Sequence, residues 1–560
     1  MEFDNTEYFG SYEHSNIEQI IEYMKKMNQQ LAPIYDFGKP FMKSGPTENY
    51  IDYLLDRRLN QKPLSAEQSF EYIAPLFRNV PNWNNPGTMI NVIPPVNLVA
   101  MTTSFFSTLY SSNFAQDTYA GSLINAELEV SKYVSDLLDW NWKESYGTFT
   151  FGGKGTNLYA AKVALTKANP KTVADGIGKN EYFMVTSQNA HPCHYEVCGW
   201  IGIGKNGCVE VPCNDDGKMN IEKAEQIIRA GIESGKTFIG FNLNGGSTNE
   251  LYVDPVKEVY LLNQRIVQEY SLNYTPHIHV DAVLSWIYLF FNEYDSLKNP
   301  LNIDEVTWGK ISSLNKEVKE LKYADSIGLD FHKTGFSPYV SSMFITKNRA
   351  DFYAINDTPK LSLEDLEYGN YNPYQTTLEL TRSSLGPVAA LSSLKSLGVE
   401  GFQKIISDMF AATEHFRAEL SKQDDMSIIN TDAVWLATFF VLKPEKYRGL
   451  DLDQMVKLPS AEIDEIRNYN IDYAKFIREK AERGESSFIY TSSRSYKIPG
   501  TQISLGALKA YPMSPFLTVN TSKKIISDVI NSVEEYKSKL TNNFSNLNYI
   551  SDEMVYREHK

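Results

Sequence analysis

Between about residue 96 and residue 395, short β-rich runs alternate with helix-patterned segments, and this alternation constrains the fold more than any other feature of the chain. The β-rich runs are Tyr182–Thr186, Thr237–Leu243, Ile278–Ala282 and Ser326–Leu329; the helical patterns around them are Leu158–Lys167, Ile221–Ser234 and Val256–Tyr270. Strands separated by crossover helices pair in parallel rather than as hairpins. The pattern therefore predicts an α/β domain over residues 96–395, with a mostly parallel sheet flanked by helices.

On either side the pattern changes. Residues 1–95 combine an amphipathic stretch at Ile17–Met27 with Pro- and Asn-rich sequence such as Asn79–Gly87, which predicts an arm of the kind that wraps a partner subunit. Residues 396–560 carry helix patterns at Phe402–Gln423 and Lys523–Leu540 around a β-rich stretch at Val434–Val441, and are expected to form a smaller α+β domain. Residues 449–500 are charged and rich in Tyr and Ser, without a clean period, and read as an insertion on that domain.

Charge and composition exclude several functions. Lys and Arg number 54 against 69 Asp and Glu, a formal charge of -15, which argues against a phosphate-backbone binder and so against nucleic acid as a partner. The acidic start lacks the basic and apolar regions of a secretory signal, and the most apolar run, Val280–Phe291, is too short to cross a bilayer. A soluble cytoplasmic protein is expected. The cysteines, Cys193, Cys198, Cys208 and Cys213, form no CxxC pair and do not match zinc-ligand spacing, so no metal is expected and buried thiols are.

Two glycine motifs fail their context. Gly202–Gly207 satisfies GxGxxG but leads into the strand-like Cys208-Val-Glu-Val-Pro instead of a helix, which makes it a turn. Gly152-Gly153-Lys154-Gly155-Thr156 lacks P-loop spacing. It still precedes a strong helix-forming run from Leu158, and such a helix start offers amides and a dipole to one phosphate.

Three segments each place titratable residues at the C-terminal end of a strand-like run, where open parallel sheets bind ligands: Ala190-His191-Pro-Cys-His194, His279-Val-Asp281-Ala282 and Asp325-Ser-Ile-Gly-Leu-Asp330-Phe-His332-Lys333. In this order, from about Met89 to Lys395, the chain resembles the pyridoxal-phosphate-dependent amino acid decarboxylases of group II, which include glutamate, tyrosine and aromatic amino acid decarboxylases. The resemblance implies a fold-type I enzyme using pyridoxal 5'-phosphate. It makes Lys333 the residue that binds the cofactor covalently and Asp281 the carboxylate that keeps its ring nitrogen protonated. Ala282 would pack beneath the ring, while His332, Gly155 and Thr156 would face the phosphate. His191 would stack on the ring, with His194 as the other candidate.

The resemblance extends to the reaction. It implies a homodimer with the site at the subunit interface, an amino acid substrate, and a loop tyrosine that protonates Cα after carbon dioxide leaves. The segment Asp357–Thr377 has the character of that loop and offers Tyr368, Tyr371 and Tyr374, of which Tyr368 is preferred for its distance from Arg382. Arg382 is expected either to anchor structure or to approach the phosphate from the partner subunit, and with Lys509 it is a candidate for substrate binding; Lys509 stands where relatives meet the substrate carboxylate with an arginine. Lys333–Tyr339 looks most like bacterial tyrosine decarboxylases, which favours an aromatic substrate, with acidic ones next. Departures include Phe331 in place of the usual proline, Lys154 in place of a small residue, and Val283-Leu284-Ser285-Trp286 after the aspartate motif. Two rival readings remain at this point: a carbonyl-forming or lyase reaction with the same cofactor, and a non-catalytic dimeric scaffold.

Overall fold

In the computed structural model, which describes residues 5–44, 49–356, 358, 362–431, 433–498, 501 and 503–543, the strands fall into two sheets. In chain order they are β1 (Thr88–Met89), β2 (Tyr146–Thr150), β3 (Tyr182–Ser187), β4 (Cys208–Val211), β5 (Thr237–Asn244), β6 (His277–Asp281), β7 (Ser326–Asp330), β8 (Ser342–Thr346), β9 (Met426–Ile428), β10 (Thr438–Leu442), β11 (Ile489–Lys497) and β12 (Ser504–Ala510). The larger sheet has the order β2-β8-β7-β6-β5-β3-β4. Pairing is parallel from β4 through β7, while β8 runs antiparallel to both β7 and β2.

One face of the central strands is polar although it is buried. Side chains alternate across a strand, so His277, His279 and Asp281 share a face of β6, level with Asn242 and Asn244 of β5 and with Ser326 of β7. The helix Gly153–Ala168 covers this face. Its close approach depends on Gly328, where a Cβ would fall 2.5 Å from the Thr156 Oγ1. The apolar residues after β6 form a buried 3-10 turn, Ser285–Phe291. Trp286 packs against Phe331 at 4.8 Å and Phe290 stacks on Phe402 at 4.5 Å, tying the site's floor to the helical run Leu385–Leu420. Truncating Trp286 to Ala would cost about 3–5 kcal/mol. That helical run breaks at Gly398, whose left-handed backbone (φ 59°) is cheap only for glycine.

The second sheet has the order β1-β11-β12-β10-β9, so the N-terminal arm contributes an edge strand to it. The stretch read from the sequence as an insertion without a clean period holds a helix, Ser460–Glu482, and strand β11, which pairs with both β1 and β12. The helix's buried stripe, Ile463, Ile466, Asn470, Tyr473, Ile477 and Ala481, keeps helical spacing. Asn470 interrupts its apolar pattern because the amide serves β10, donating to Leu442 O at 2.9 Å and accepting from Leu442 N at 2.8 Å. No described helix is long and apolar enough to cross a membrane.

Candidate active site

Asp281 ends β6 and Asp330 ends β7, on neighbouring parallel strands. The chain turns sharply after Asp330, with Lys333 N donating to Asp330 O at 3.3 Å, and the lysine folds back so that its Nζ lies 2.8 Å from Asp330 Oδ2. Asp330 is 1 % exposed, and the hydroxyl of Ser342 also donates to it. Burial alone would lower the pKa of Lys333, but the charge and hydrogen bond of Asp330, with Asp281 and Tyr339, together overcome burial and raise it.

Asp281 is buried and accepts from Asn157 Nδ2 at 2.9 Å through Oδ2. Burial favours its neutral form; His194, the Asn157 hydrogen bond, Lys333 and His279 together overcome this and hold its pKa below the usual carboxylate range. Its other oxygen, Oδ1, is buried without a hydrogen-bond partner. An unpartnered anionic oxygen is costly in such a place and calls for a cation or an N–H donor.

His191 is exposed, its Nδ1 accepting from the Cys193 amide at 3.1 Å. His194 is 1 % exposed, so the two candidates for the stacking ring differ in depth. Ala282 is fully buried beside Gly328, donating its N–H to Gly328 O at 3.0 Å. The His332 ring is held by the Ser341 amide at Nδ1 (3.3 Å), by Asp330 3.5 Å from Nε2 and by the Tyr339 ring at 4.2 Å.

The amides expected to face a phosphate are engaged within the helix start. The amides of Gly155 and Thr156 already donate to Gly152 O, at 2.8 and 3.3 Å, and the Thr156 hydroxyl donates to Gly153 O at 2.8 Å. Ahead of the first helical bonds stand Gly153 and Lys154, whose amides belong to the unpaired start of the helix. Gly153 abuts the anchor, since a Cβ there would lie 3.4 Å from Asp330 Oδ2. The side chain of Lys154 turns away to an ion pair with Glu196.

Among the other candidates, Arg382, Tyr371 and Lys509 have partners of their own. Arg382 is buried against Glu127, with Nη2 donating to Glu127 Oε1 at 3.0 Å and to Phe114 O at 3.0 Å, and Nη1 donating to Glu127 Oε2 at 2.6 Å. Of its expected roles, the structure puts the guanidinium in the anchoring one. Tyr371 is buried, with its hydroxyl 2.9 Å from that of Tyr146, whereas Tyr368 is 73 % exposed. Residues 357 and 359–361 of the expected loop lie outside the described residues. Lys509, on β12, is buried, its ammonium 5.6 Å from the Phe439 ring centre and 5.4 Å from that of Tyr511. Lys509 also acts on the charge of Glu250, whose pKa burial raises. Sequence reasoning assigned no role to Asn157 or Asp330. Asn157 is recognisable one helical turn after Gly153, on the face turned toward the sheet.

This donor set fits pyridoxal 5'-phosphate: Asp281 Oδ1 awaits a pyridinium N–H, Lys333 supplies the amine, and the helix start at Gly153 supplies amides for a phosphate. Comparison with known proteins agrees. Residues 48–303 match the pyridoxal-dependent decarboxylase conserved domain. The chain is 21 % identical over 504 residues to an L-2,4-diaminobutyrate decarboxylase of Acinetobacter baumannii, covering 86 % of each protein. It is 24 % identical over 332 residues to a probable L-tyrosine/L-aspartate decarboxylase of Methanosphaera stadtmanae, covering 59 % of this chain and 71 % of that one. In fold it resembles the crystal structure of mouse CSAD in apo form, with a TM-score of 0.73 at 15 % identity over 92 % of this chain and 99 % of that chain.

Proposed function

Because the chain belongs to the pyridoxal-dependent decarboxylases and is an amino acid decarboxylase that uses pyridoxal 5'-phosphate, we propose that its site, anchored by Lys333, acts on an L-amino acid with an aromatic, tyrosine-like side chain, acidic side chains ranking next. The observation that carries the placement of the site is the buried, unpartnered Oδ1 of Asp281 on the strand next to the one that leads into Lys333. The substrate ranking draws support from the Lys333–Tyr339 segment and from the cationic Lys509 between two aromatic rings.

Bound here, the cofactor supplies a sink for the electron pair that Cα retains when carbon dioxide departs. The chain's residues do the rest. Asp281 holds the proton at the ring nitrogen. His191 covers the ring. Lys333 binds the cofactor after its ammonium gives up a proton, which the Asp330 pairing opposes at neutral pH. Lys509 meets the substrate carboxylate with a single point charge, not a bidentate fork. Tyr368 returns a proton to Cα once its loop covers the site of the neighbouring subunit.

That last role requires a homodimer. Leu98, Val99, Met101 and Phe106 on the helix Leu98–Leu109 are exposed apolar side chains of the kind a second subunit covers. A reducing cytoplasmic setting suits the free thiols of Cys193, Cys198, Cys208 and Cys213.

The test is a screen of the twenty L-amino acids for carbon dioxide release with identification of the organic product. Amine from tyrosine or another aromatic ahead of aspartate and glutamate supports the reading. Carbonyl product with ammonia and peroxide would replace it with the carbonyl-forming reaction, and preference for a basic amino acid would overturn the substrate class.

A further inference from the structure

The helix Cys193–Trp200 buries a second histidine beneath the site, for which the mechanism above has no use. His194 is 1 % exposed, its Nδ1 lies 2.7 Å from Asn242 Nδ2, and its Nε2 has no hydrogen-bond partner. Ligand atoms of His194, Asp281 and Cys193 lie within 4.8 Å of one another.

Hydrogen-bond logic fixes where the proton of His194 resides. A carboxylate only accepts, so the Asn157 atom 2.9 Å from Asp281 Oδ2 must be the amide nitrogen. Asn157 Oδ1 is then an acceptor, and it receives Asn242 Nδ2 at 3.3 Å. The same Asn242 amide group reaches His194 Nδ1, which must therefore accept, leaving the single proton of a neutral imidazole on Nε2. Two buried groups of opposite need, an N–H donor and the carboxylate oxygen Oδ1, thus stand without hydrogen-bond partners on residues of one buried cluster.

We propose that His194 is a positioning residue for Asp281: the amide relay Asn157–Asn242 places its proton on Nε2, and that N–H supports the carboxylate that holds the cofactor's ring nitrogen protonated. The inference rests on the reading of Asp281 given above. Other titratable groups face Asp281 from each neighbouring element: His191 and Cys193 beside His194, Lys333 after β7, where it pairs with Asp330 at the strand's end, and His279 two residues back on β6. His279 lacks an equivalent relay, because its Nδ1 meets Ser326 Oγ at 2.8 Å while the same hydroxyl meets His277 Nε2 at 2.7 Å, and one hydroxyl does not fix both tautomers.

The test loads the full-length protein with cofactor labelled with nitrogen-15 in the ring and follows the ring nitrogen's chemical shift against pH. In His194→Met the ring nitrogen should lose its proton at a pH lower by about one unit, a tenfold weaker hold on the proton. His194→Gln, whose amide can present an N–H where Nε2 stood, should restore most of that shift. His194→Asn, whose shorter amide can accept from Asn242 but does not reach the place of Nε2, should behave like Met. A ring nitrogen indifferent to Met and Asn, or equally disturbed by Gln and Met, overturns the proposal. Asp281→Asn is the control: if it leaves the ring nitrogen unmoved, the assignment of Asp281 fails instead. Should Met not fold, Gln against Asn decides.

Discussion

The ammonium of Lys333 lies 2.8 Å from a carboxylate oxygen of Asp330, three residues earlier on the same turn, and that carboxylate is almost entirely buried. The pair keeps the lysine charged, although capture of an aldehyde cofactor needs it neutral. In Asp330→Asn the pKa of Lys333 should fall, because burial would no longer be opposed by the ion pair. Capture of pyridoxal phosphate by cofactor-free protein, followed by absorbance, should then begin at a lower pH than in the parent protein. An unchanged onset would show that Asp330 does not govern the lysine.

Asp281→Asn keeps the shape of the side chain and an acceptor for Asn157, so folding and cofactor content should be preserved. Turnover should drop by at least about 100-fold, since loss of the ring nitrogen's proton removes most of the electron sink. Steady-state rates on protein of verified cofactor content check this, and near-parental turnover would contradict the role.

This outcome bears on how much could be read in the sequence. The strand-ending runs at Ile278–Ala282 and Ser326–Leu329 were legible because a buried parallel strand is a short apolar run; the first coincides with β6 up to Asp281, and the second lies on β7. Asp281 at the end of β6 and Lys333 three residues after the end of β7 stand where the local motifs put titratable residues. The difference in depth between His191 and His194 was not legible, because it depends on the turn that starts the helix at Cys193. The pairing of Arg382 with Glu127 joins residues 255 apart, and no local pattern announces it. The stretch 449–500 hid its helix because Asn470 and Tyr473 occupy the buried stripe as polar residues.

Arg382→Leu leaves Glu127 as an unpaired charge in a fully buried position. Such a loss costs about 3–5 kcal/mol. The variant should show a marked fall in urea midpoint. A variant of parental stability with a raised KM would instead return Arg382 to substrate binding.

Tyr368→Phe should leave carbon dioxide release intact and divert the product from amine, whereas Tyr371→Phe should cost about 1 kcal/mol of stability, from its hydrogen bond to Tyr146, with no change of product. Product analysis of both variants separates them. A change of product in the Tyr371 variant alone would reverse the assignment.

Acid should destabilise the fold in a definable window. Burial pushes His194 down to about 4 and His279 down to about 3, with His277 also well below its ordinary value. The unfolded chain binds these protons below about pH 6.5, before the folded chain does, so the stability they confer is whole above 6.5 and is lost as pH falls toward 4. The lowered pKa of Asp281 adds a loss of the same sign at more acid pH. Urea midpoints between pH 7 and pH 5 should fall, and His194→Gln should flatten the slope by up to about 1.4 kcal/mol per pH unit. A slope identical to the parent would mean that His194 is protonated in the fold.

The most direct test of the account is where the cofactor attaches. Full-length protein saturated with pyridoxal phosphate, reduced with borohydride and digested, should yield a single pyridoxyl-modified peptide with the modification on Lys333, and Lys333→Ala should yield none. Modification of another lysine in the parent protein, or of none, would contradict the site built on Lys333 and Asp281.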